Sequence, residues 1–368
     1  MAEVTLATAS EKQKWRSRYF AEYVRASGFL PYMKSSPMGI IHTMYELQEE
    51  SGKTINVPLI TRLTGAGVTG NGTLDGNEEE LGNYNFPISI DWRRNAVRVP
   101  KSTSYKTEID LWGAAKEMLK QWEAEKLRDD IINAMMSVKA STLFSDTSQT
   151  DRDTWVAANS DRVLFGKVIS NHSTGDHSTS LGNIDTTDDK ATVASAQLAK
   201  RIAKLADPHI RPFRTEDGRE FYVMFMGARA FRDLKADTTM INANRDARAR
   251  EGAGMDKNPL FQDGDLLYDG IIFREIPEID VAAAVAGSVG GLNGTGNGGA
   301  DVRPNFLCGA QAVGIAWGQE PQFQTDLQKD YKFRPGVAIE ELLDVEKIVF
   351  NSKQHGMVTW YTASAADS

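Results

Sequence analysis

The chain has 368 residues, 41% of them hydrophobic, which is enough for one large or two ordinary globular domains. Its 42 basic and 50 acidic side chains give a formal net charge of −8, which argues against a protein whose main role is to coat nucleic acid. The single cysteine excludes an intramolecular disulfide framework and a cysteine-based zinc site. No stretch is typical of a secretory signal or apolar enough to span a bilayer, so we expect a soluble protein made in a reducing cytoplasm.

The first 45 or so residues have the composition of an arm rather than of a core. Residues 11–34 carry six basic and two acidic side chains, a net charge of +4, with aromatic side chains between them. Ser10 marks the start of a predicted helix, which Gly28 and Pro31 end. The segment either packs on its own domain or reaches a neighbouring subunit or a polyanion.

Two strand-like stretches, 54–62 and 86–100, flank a polar, glycine-rich segment. The prolines within them favour edge strands, at Pro58, Pro87 and Pro100. An isolated hairpin is only marginally stable in water, so we expect another subunit to hold this one.

The remaining chain mixes helices and strands. Residues 107–139 have a helical apolar period and predict one helix of ~33 residues, about 50 Å long. The polar stretch 141–190 predicts a long loop with one short strand at 163–170. Further on, we predict helices at 191–206 and 228–235, strands at 221–226, 305–317, 345–350 and 357–361, a pair of strands within 266–276, and a flexible glycine-rich loop at 287–299. Without regular βαβ alternation, this order predicts an α+β fold.

Two glycine patterns are similar to phosphate-binding motifs. Residues 65–70 match G-x-G-x-x-G, with Asp91 about 20 residues further on, but the residues that follow will not start a helix. Gly52-Lys53-Thr54 resembles the end of a phosphate-binding loop, but Leu47 replaces the earlier glycine and a strand follows. We therefore expect a mobile loop tip at the first position and no nucleotide site at either.

Ser288 lies in a sequence similar to the nucleophile elbow of a hydrolase. Asp344 and His355 follow it in the right chain order. The elbow needs a helix behind the serine, and the glycines after Ser288 cannot form one. We expect no hydrolase site.

The remaining candidates for chemistry are a small polar cluster and the cysteine. His172, Asp176 and His177 lie close together, but we expect a solvated loop rather than a metal site. Cys308 is expected to be a small buried apolar residue. The sequence thus predicts no catalytic residue, no metal and no cofactor.

Several stretches, in order along the chain, carry a resemblance to a known family. They are 222–234 (YVMFMGARAFRDL), 258–261 (NPLF), 268–272 (YDGII), 306–321 (FLCGAQAVGIAWGQEP), 330–340 (DYKFRPGVAIE) and 347–350 (KIVF). Together they resemble the major capsid proteins of tailed bacteriophages with the Hong Kong 97-type fold, in the branch typified by the N-four-like phages.

The resemblance implies an arrangement of parts. These are an N-terminal arm (1–50), an extended E-loop hairpin (51–105), a P-domain with a long spine helix (106–190), an A-domain (191–305) and return strands to the P-domain (306–368). It also implies self-assembly into pentamers and hexamers of an icosahedral head shell around a double-stranded DNA genome. The chain would be part of the virion and, before assembly, of the host cytoplasm. Expected partners are the portal, separate scaffolding or decoration proteins and non-specifically bound DNA, with no membrane.

Contacts between subunits are predicted in the arm, at the end of the hairpin and at its glycines. The residues are Trp15, Arg16, Arg18, Arg93, Arg94, Gly65, Gly67 and Gly70. One alternative is an encapsulin-like compartment shell of cellular origin, which has the same fold and encloses an enzyme rather than a genome. An ordinary cytoplasmic enzyme is a further alternative, and it would elute as a monomer or small oligomer.

Overall fold

The computed structural model describes residues 28–48, 52–105, 111–140, 142–214, 218–247, 261–262, 265–284 and 291–367. The α-helices within these residues are α1 (Lys101–Ser104), α2 (Leu111–Met136), α3 (Gln149–Ala158), α4 (His177–Gly182), α5 (Val193–Leu205), α6 (Ala228–Ala236), α7 (Thr238–Ala247) and α8 (Glu278–Ala283). The first strands are β1 (Met33–Lys34), β2 (Ile41–Met44), β3 (Thr54–Ile60), β4 (Asn83–Ser89), β5 (Asp91–Arg98), β6 (Val163–Phe165), β7 (Phe213–Arg214) and β8 (Glu220–Met226). The later strands are β9 (Phe261–Gln262), β10 (Asp265–Tyr268), β11 (Ile271–Glu275), β12 (Val302–Cys308), β13 (Val313–Asp326), β14 (Gly336–Lys347), β15 (Val349–Phe350), β16 (Lys353–Gln354) and β17 (Met357–Ala363).

Two sheets organise the fold. The smaller sheet has the strand order β1-β2-β13-β14-β5, and the larger has β6-β17-β12-β8-β11-β10-β9, with β7 paired to β8. The predicted single strand 305–317 is wrong, because β12 and β13 follow one another in sequence but lie in different sheets. The chain turns at Gly309, where a Cβ atom would overlap the carbonyl oxygen of Arg211. This connection of 309–312 joins the two sheets.

Helix α2 packs along the smaller sheet and would be about 39 Å long at the standard rise. Its buried face, including Leu119, Leu127 and Ile131, packs in one core with Ile315 and Ile339 of the sheet. The predicted long helix is therefore confirmed over α2, while residues 106–110 lie outside the described residues.

The C-terminal end of α2 comes three residues before the predicted end at Lys139. The hydroxyl of Ser137 donates a hydrogen bond of 2.8 Å to the carbonyl of Ala134. Such a local bond competes with the continuing helix ladder, which explains the earlier end.

Arg93 on β5 connects the smaller sheet to α2. Its guanidinium donates to the carboxylates of Glu341, on β14, and Asp130, on α2. Burial raises the pKa of both carboxyls, and the cationic Arg93 opposes that shift. Because Glu341 is only 1% exposed, Arg93 neutralises a charge that water cannot solvate.

Strands β3 and β4 form a separate two-stranded hairpin beside the smaller sheet. They pair antiparallel, with Val57 opposite Phe86. Phe86 and Ile88 are buried with Met44 and other apolar residues of a third core. The predicted strand 86–100 is thus wrong as one element, because β4 pairs with β3 whereas β5 pairs with β14.

Helices α5 and α6 cover the larger sheet. The alanines of α5, at positions 196, 199 and 203, pack against Met224 and Trp360. These two helices, strand β8 and the pair β10–β11 confirm the predictions for 191–206, 228–235, 221–226 and 266–276.

The described part of the predicted arm belongs to the core. Phe29 is fully buried, and its ring centroid lies 5.1 Å from that of Phe225. Strand β2 pairs with β13 inside the smaller sheet. The expectation of an arm is therefore wrong for residues 28–48, and residues 1–27 lie outside the described residues.

The predicted loop at 141–190 is also wrong, because α3, β6 and α4 lie within it. His177 is 1% exposed, and its ring is surrounded by four aromatic side chains. These side chains are Phe144, Trp155, Phe165 and Tyr361. The apolar residues of this core are widely spaced in a polar stretch, so they show no clear period in the sequence.

The burial of His177 predicts a pH-dependent stability. Burial lowers its pKa to about 4, against about 6.5 for the unfolded chain. Between these two values the unfolded state binds more protons, so the free energy of unfolding falls as the pH falls, by up to about 3 kcal/mol. The variant His177→Phe should flatten this dependence, measured as melting temperature between pH 7 and 4.5 on unassembled subunits.

A second buried histidine and a control variant define the size of the expected change. Burial also lowers the pKa of His355 to about 4, so the variant keeps part of the slope. The control His209→Gln changes an exposed histidine and should leave the profile as in the parent. An unchanged slope in His177→Phe would contradict this account of the core.

The role of Arg93 predicts a large difference between two adjacent arginines. Arg93→Met leaves the carboxylates of Glu341 and Asp130 without their cation, and should lower the free energy of unfolding by about 3–5 kcal/mol. Arg94→Met changes an exposed side chain and should cost less than about 0.5 kcal/mol. Urea unfolding of both variants tests this, and equal stabilities would show that the ion pairs are not structural.

Candidate functional site

The hairpin presents apolar side chains that the described part of its own subunit leaves exposed. Residues 61–82 form its tip and contain no helix or strand. Four large aliphatic side chains in and next to this tip are more than half exposed, namely Ile60, Leu63, Leu74 and Leu81. Apolar groups collected on one projecting element are typical of an interaction surface.

The conformation of the tip depends on short-range contacts. The carboxylate of Glu79 accepts a hydrogen bond of 2.7 Å from the N–H of Gly65, and a Cβ on Gly65 would lie 2.7 Å from the same oxygen. Gly67 and Gly70 have φ values of 67° and 66°, which favour glycine. No helix follows residues 65–70, as expected, so the geometry of a dinucleotide site is absent from this segment.

One ion pair links the tip to the end of α5. Arg62 Nη2 lies 2.9 Å from Asp207 Oδ1, and both side chains are more than half exposed. Exposed pairs of this kind contribute about 0–1 kcal/mol, so the subunit itself holds the tip only weakly.

A second projection lies between β13 and β14. Asp330, Tyr331 and Lys332 have consecutive positive φ values of 53°, 50° and 69°, a conformation that costs a non-glycine residue about 1–2 kcal/mol. Tyr331 is fully exposed there. This tip is absent from the predicted contact residues, although an aromatic residue between two lysines, flanked by strands, is a usable signal.

A cleft of about 550 Å³ opens beside the smaller sheet. The C-terminal part of α2, helix α3 and the end of β14 line it. Burial raises the pKa of Asp344 in this cleft to about 6, and the nearby carboxylates of Glu346, Asp130 and Asp91 add to the shift. In the sequence, Asp344 is a candidate only for a hydrolase site, and no local pattern indicates this cleft.

The predicted contact residues fall into three groups. Gly65, Gly67 and Gly70 lie in the hairpin tip, while Trp15, Arg16 and Arg18 lie outside the described residues. Arg93 makes ion pairs within its own subunit, a role that its sequence position did not reveal. Arg94 is exposed on β5 and forms no salt bridge with any residue that the structure describes.

The predicted solvated loop around His177 is wrong, because this side chain is buried. Asp176 instead caps α4, and its carboxylate accepts hydrogen bonds from the N–H and hydroxyl of Thr179 at 2.9 and 2.6 Å. Among the described residues, no group of three or more potential metal ligands occurs. None of the described helices has the length and apolar character needed to cross a membrane.

The other candidates for chemistry are separated or buried. Cys308 is fully buried, which confirms its predicted role and raises the pKa of its thiol. Ser288 lies outside the described residues. The ring of His355 packs 5.1 Å from that of Phe350, whereas Asp344 lies in the cleft.

Comparisons with known proteins identify the family. A model of the phage capsid protein family matches residues 3–366. The chain is 24% identical over 375 residues to the major capsid protein of Pseudomonas phage KPP25, covering 97% of this chain and 96% of that protein. It is 41% identical to a chain in the capsid asymmetric unit of cyanophage Pam1, with a TM-score of 0.84 and 94% of each chain covered.

A more distant structure shows the same fold. The capsid of Ralstonia phage GP4 has a TM-score of 0.68 at 19% identity, covering 92% of this chain and 90% of that chain. These similarities confirm the predicted α+β capsid fold of the Hong Kong 97 type. Because the family model spans nearly the whole sequence, the chain belongs to the phage capsid protein family.

Proposed function

We propose that this chain is the major capsid protein of a tailed phage, which assembles with copies of itself into the icosahedral shell that encloses the double-stranded DNA genome. The observation that carries the proposal is the 41% identity to a capsid chain of cyanophage Pam1 over 94% of both chains. The family and these relatives favour a phage head over a cellular compartment shell.

The exposed hairpin supports a role in contacts between subunits. Full burial of one aliphatic side chain contributes about 1.5–3 kcal/mol. The four aliphatic side chains of the tip are partly exposed, so a neighbour that covered them would gain on the order of 5 kcal/mol. Moderate contacts of this size are sufficient in a closed shell, because each subunit makes several of them at once.

The proposed parts follow the predicted layout with three changes, one of which is that the E-loop ends with β4 because β5 pairs with β14 in the smaller sheet. The arm is confined to residues before 28, because Phe29 is in the core. A boundary between 305 and 306 would divide strand β12, so we place the return from the larger to the smaller sheet at 309–312. The E-loop corresponds to the β3–β4 hairpin and the spine helix to α2.

The proposal includes partners that follow from the role of a head shell. A portal and separate scaffolding or decoration proteins would complete the head, and the chain would be in the host cytoplasm before assembly and in the virion afterwards. The net charge of −8 opposes tight trapping of packaged DNA on the shell wall. Purified shells that contain DNA would favour this role, whereas shells that contain an enzyme would favour the cellular compartment.

The hairpin tip provides a direct test. Residues 62–81 are replaced by Asn-Gly, which joins Thr61 to Gly82, two residues already hydrogen-bonded across the hairpin at 2.9 Å. Circular dichroism and melting should stay close to the parent, because the tip contributes little to the core. Electron microscopy should show no normal shells, because the contact surface is gone.

A matched variant distinguishes the effect of the length of the tip from the effect of its exposed leucine side chains. Leu63→Ser/Leu74→Ser/Leu81→Ser keeps the tip at full length, and it should also fold without forming normal shells. Normal shells from the shortened variant would show that the tip makes no essential contact between subunits. An unfolded shortened variant would show that the tip belongs to the core of its own subunit.

A further inference from the structure

The cleft exists because one strand ends before its partner. Strand β5 pairs with β14 only as far as Asp91 opposite Leu343. Beyond Leu343, this edge of β14 has no paired strand in the described parts of the chain. Residues of β14 after that point therefore line an open cleft instead of a continuous sheet.

The cleft contains negative charge that the described part of its own subunit does not pair with a cation. Asp91 and Asp344 line it, and neither forms a salt bridge with a described residue. The carboxylate of Asp344 accepts a hydrogen bond of 2.8 Å from the N–H of Val345, a neutral partner. The raised pKa of Asp344 agrees with a carboxylate that is desolvated and lacks a cation.

The cations that line the cleft contact groups other than Asp91 and Asp344. Arg93 forms ion pairs with Asp130 and Glu341. The Nζ atom of Lys139 lies 3.1 Å from Oδ1 of Asp151. Lys347 donates to the carbonyl of Ser137, and its ammonium lies 5.2 Å from the centroid of the Trp155 ring. No cation that lines the cleft is therefore left to pair with Asp344.

The walls of the cleft also have apolar surface. Trp92 and Leu143 line it, and each is about half exposed. A volume of about 550 Å³ is large enough for one aromatic side chain together with the aliphatic stem of an arginine or lysine. The cleft thus favours a segment in which basic and aromatic residues alternate.

Residues 11–27 of the same sequence have this chemistry. They contain five basic and two acidic side chains, a net charge of +3. Their aromatic residues stand between the cations, at Trp15, Tyr19, Phe20 and Tyr23. Twelve residue-to-residue steps separate Arg16 from Gly28, which span about 40 Å when extended or about 18 Å when helical, so the segment is long enough to extend beyond its own subunit.

We propose that the cleft beside Asp344 receives the Trp15–Arg18 part of the N-terminal segment of a neighbouring copy, with Asp344 as the counter-charge for an arginine of that segment. This inference rests on the proposed shell function, because it requires copies held side by side. Its physical basis is the match between an uncompensated carboxylate in a partly apolar cleft and a basic, aromatic segment of the same chain.

Cysteine cross-linking between two full-length chains tests the contact. The natural Cys308 is fully buried, so introduced thiols are the accessible ones. One chain carries Ser17→Cys, which keeps both neighbouring arginines, and the other carries Leu143→Cys and an epitope tag. After co-assembly and mild oxidation, these two chains should form a disulfide-linked, tagged heterodimer. In the control, the tagged chain carries Val281→Cys instead of Leu143→Cys, at an exposed position on α8 that does not line the cleft, and the yield of heterodimer should be at least tenfold lower.

Charge exchange tests the role of Asp344 in the same assay. Asp344→Lys in the tagged chain should reduce the heterodimer several-fold, and Arg16→Asp/Arg18→Asp in the other chain should restore it. If Asp344→Lys reduces the yield of heterodimer and the arginine changes do not restore it, Asp344 is not the counter-charge for these arginines. The matched change Glu340→Lys, on the same strand but not lining the cleft, should have no effect.

Other occupants give different results. A chain with both Ser17→Cys and Leu143→Cys that cross-links only within itself would show that the segment occupies its own cleft and would overturn the proposal. Cross-linking of Leu143→Cys to Tyr331→Cys instead of Ser17→Cys would assign the cleft to the β13–β14 tip. Electron microscopy of the same samples separates the two claims, because normal shells without the heterodimer contradict this contact but leave the shell function intact.

Discussion

The constraint on which this fold depends is that a two-stranded hairpin cannot bury its own apolar side chains. One part of the β3–β4 hairpin is buried within its own subunit, where Phe86 and Ile88 pack in a core with Met44. The tip of the hairpin has no such support from the described residues, and the ion pair of Arg62 with Asp207, just after α5, is exposed. In the proposed shell, a neighbouring subunit would supply the surface that the hairpin lacks in its own subunit.

The smaller sheet provides the rigid platform from which the hairpin extends. Arg93 joins β5, β14 and α2 through two carboxylates, so the sheet and its helix are held together by charge as well as by apolar packing. The chain passes from β4 to β5 through a single residue, Ile90, which is itself buried. The hairpin thus leaves the sheet close to the ion pairs of Arg93.

The sequence predicted elements with strong local periodicity and failed where contacts are long-range. Helix α2 and strand β8 followed from their apolar patterns. The break at Ile90 did not, because both sides have equal strand character and only the partners of β4 and β5 differ. Phe29 was interpreted as part of a basic arm, since the ring of Phe225 that covers it is distant in sequence. The salt bridge of Arg93 with Glu341 spans 248 positions and has no local signal.

The candidate surfaces also differ in whether a local sequence pattern or a long-range contact produces them. The glycine-rich tip was predicted from composition, because glycines and polar residues without apolar periodicity exclude a core element. The cleft at Asp344 arises from the end of β5 beside a longer β14, which only the register reveals. His177 illustrates the opposite error, because a polar neighbourhood in sequence became an aromatic core in three dimensions.

Amide hydrogen exchange on unassembled subunits and on shells can show whether a neighbouring subunit orders the hairpin. Amides of the hairpin tip should exchange rapidly in the free subunit, because most of them have no backbone partner within the segment. In shells, the tip and the outer parts of β3 and β4 should become protected by at least tenfold, while α2 and β12 change little. Equal exchange of the tip in both states would contradict the claim that a neighbouring subunit completes the hairpin.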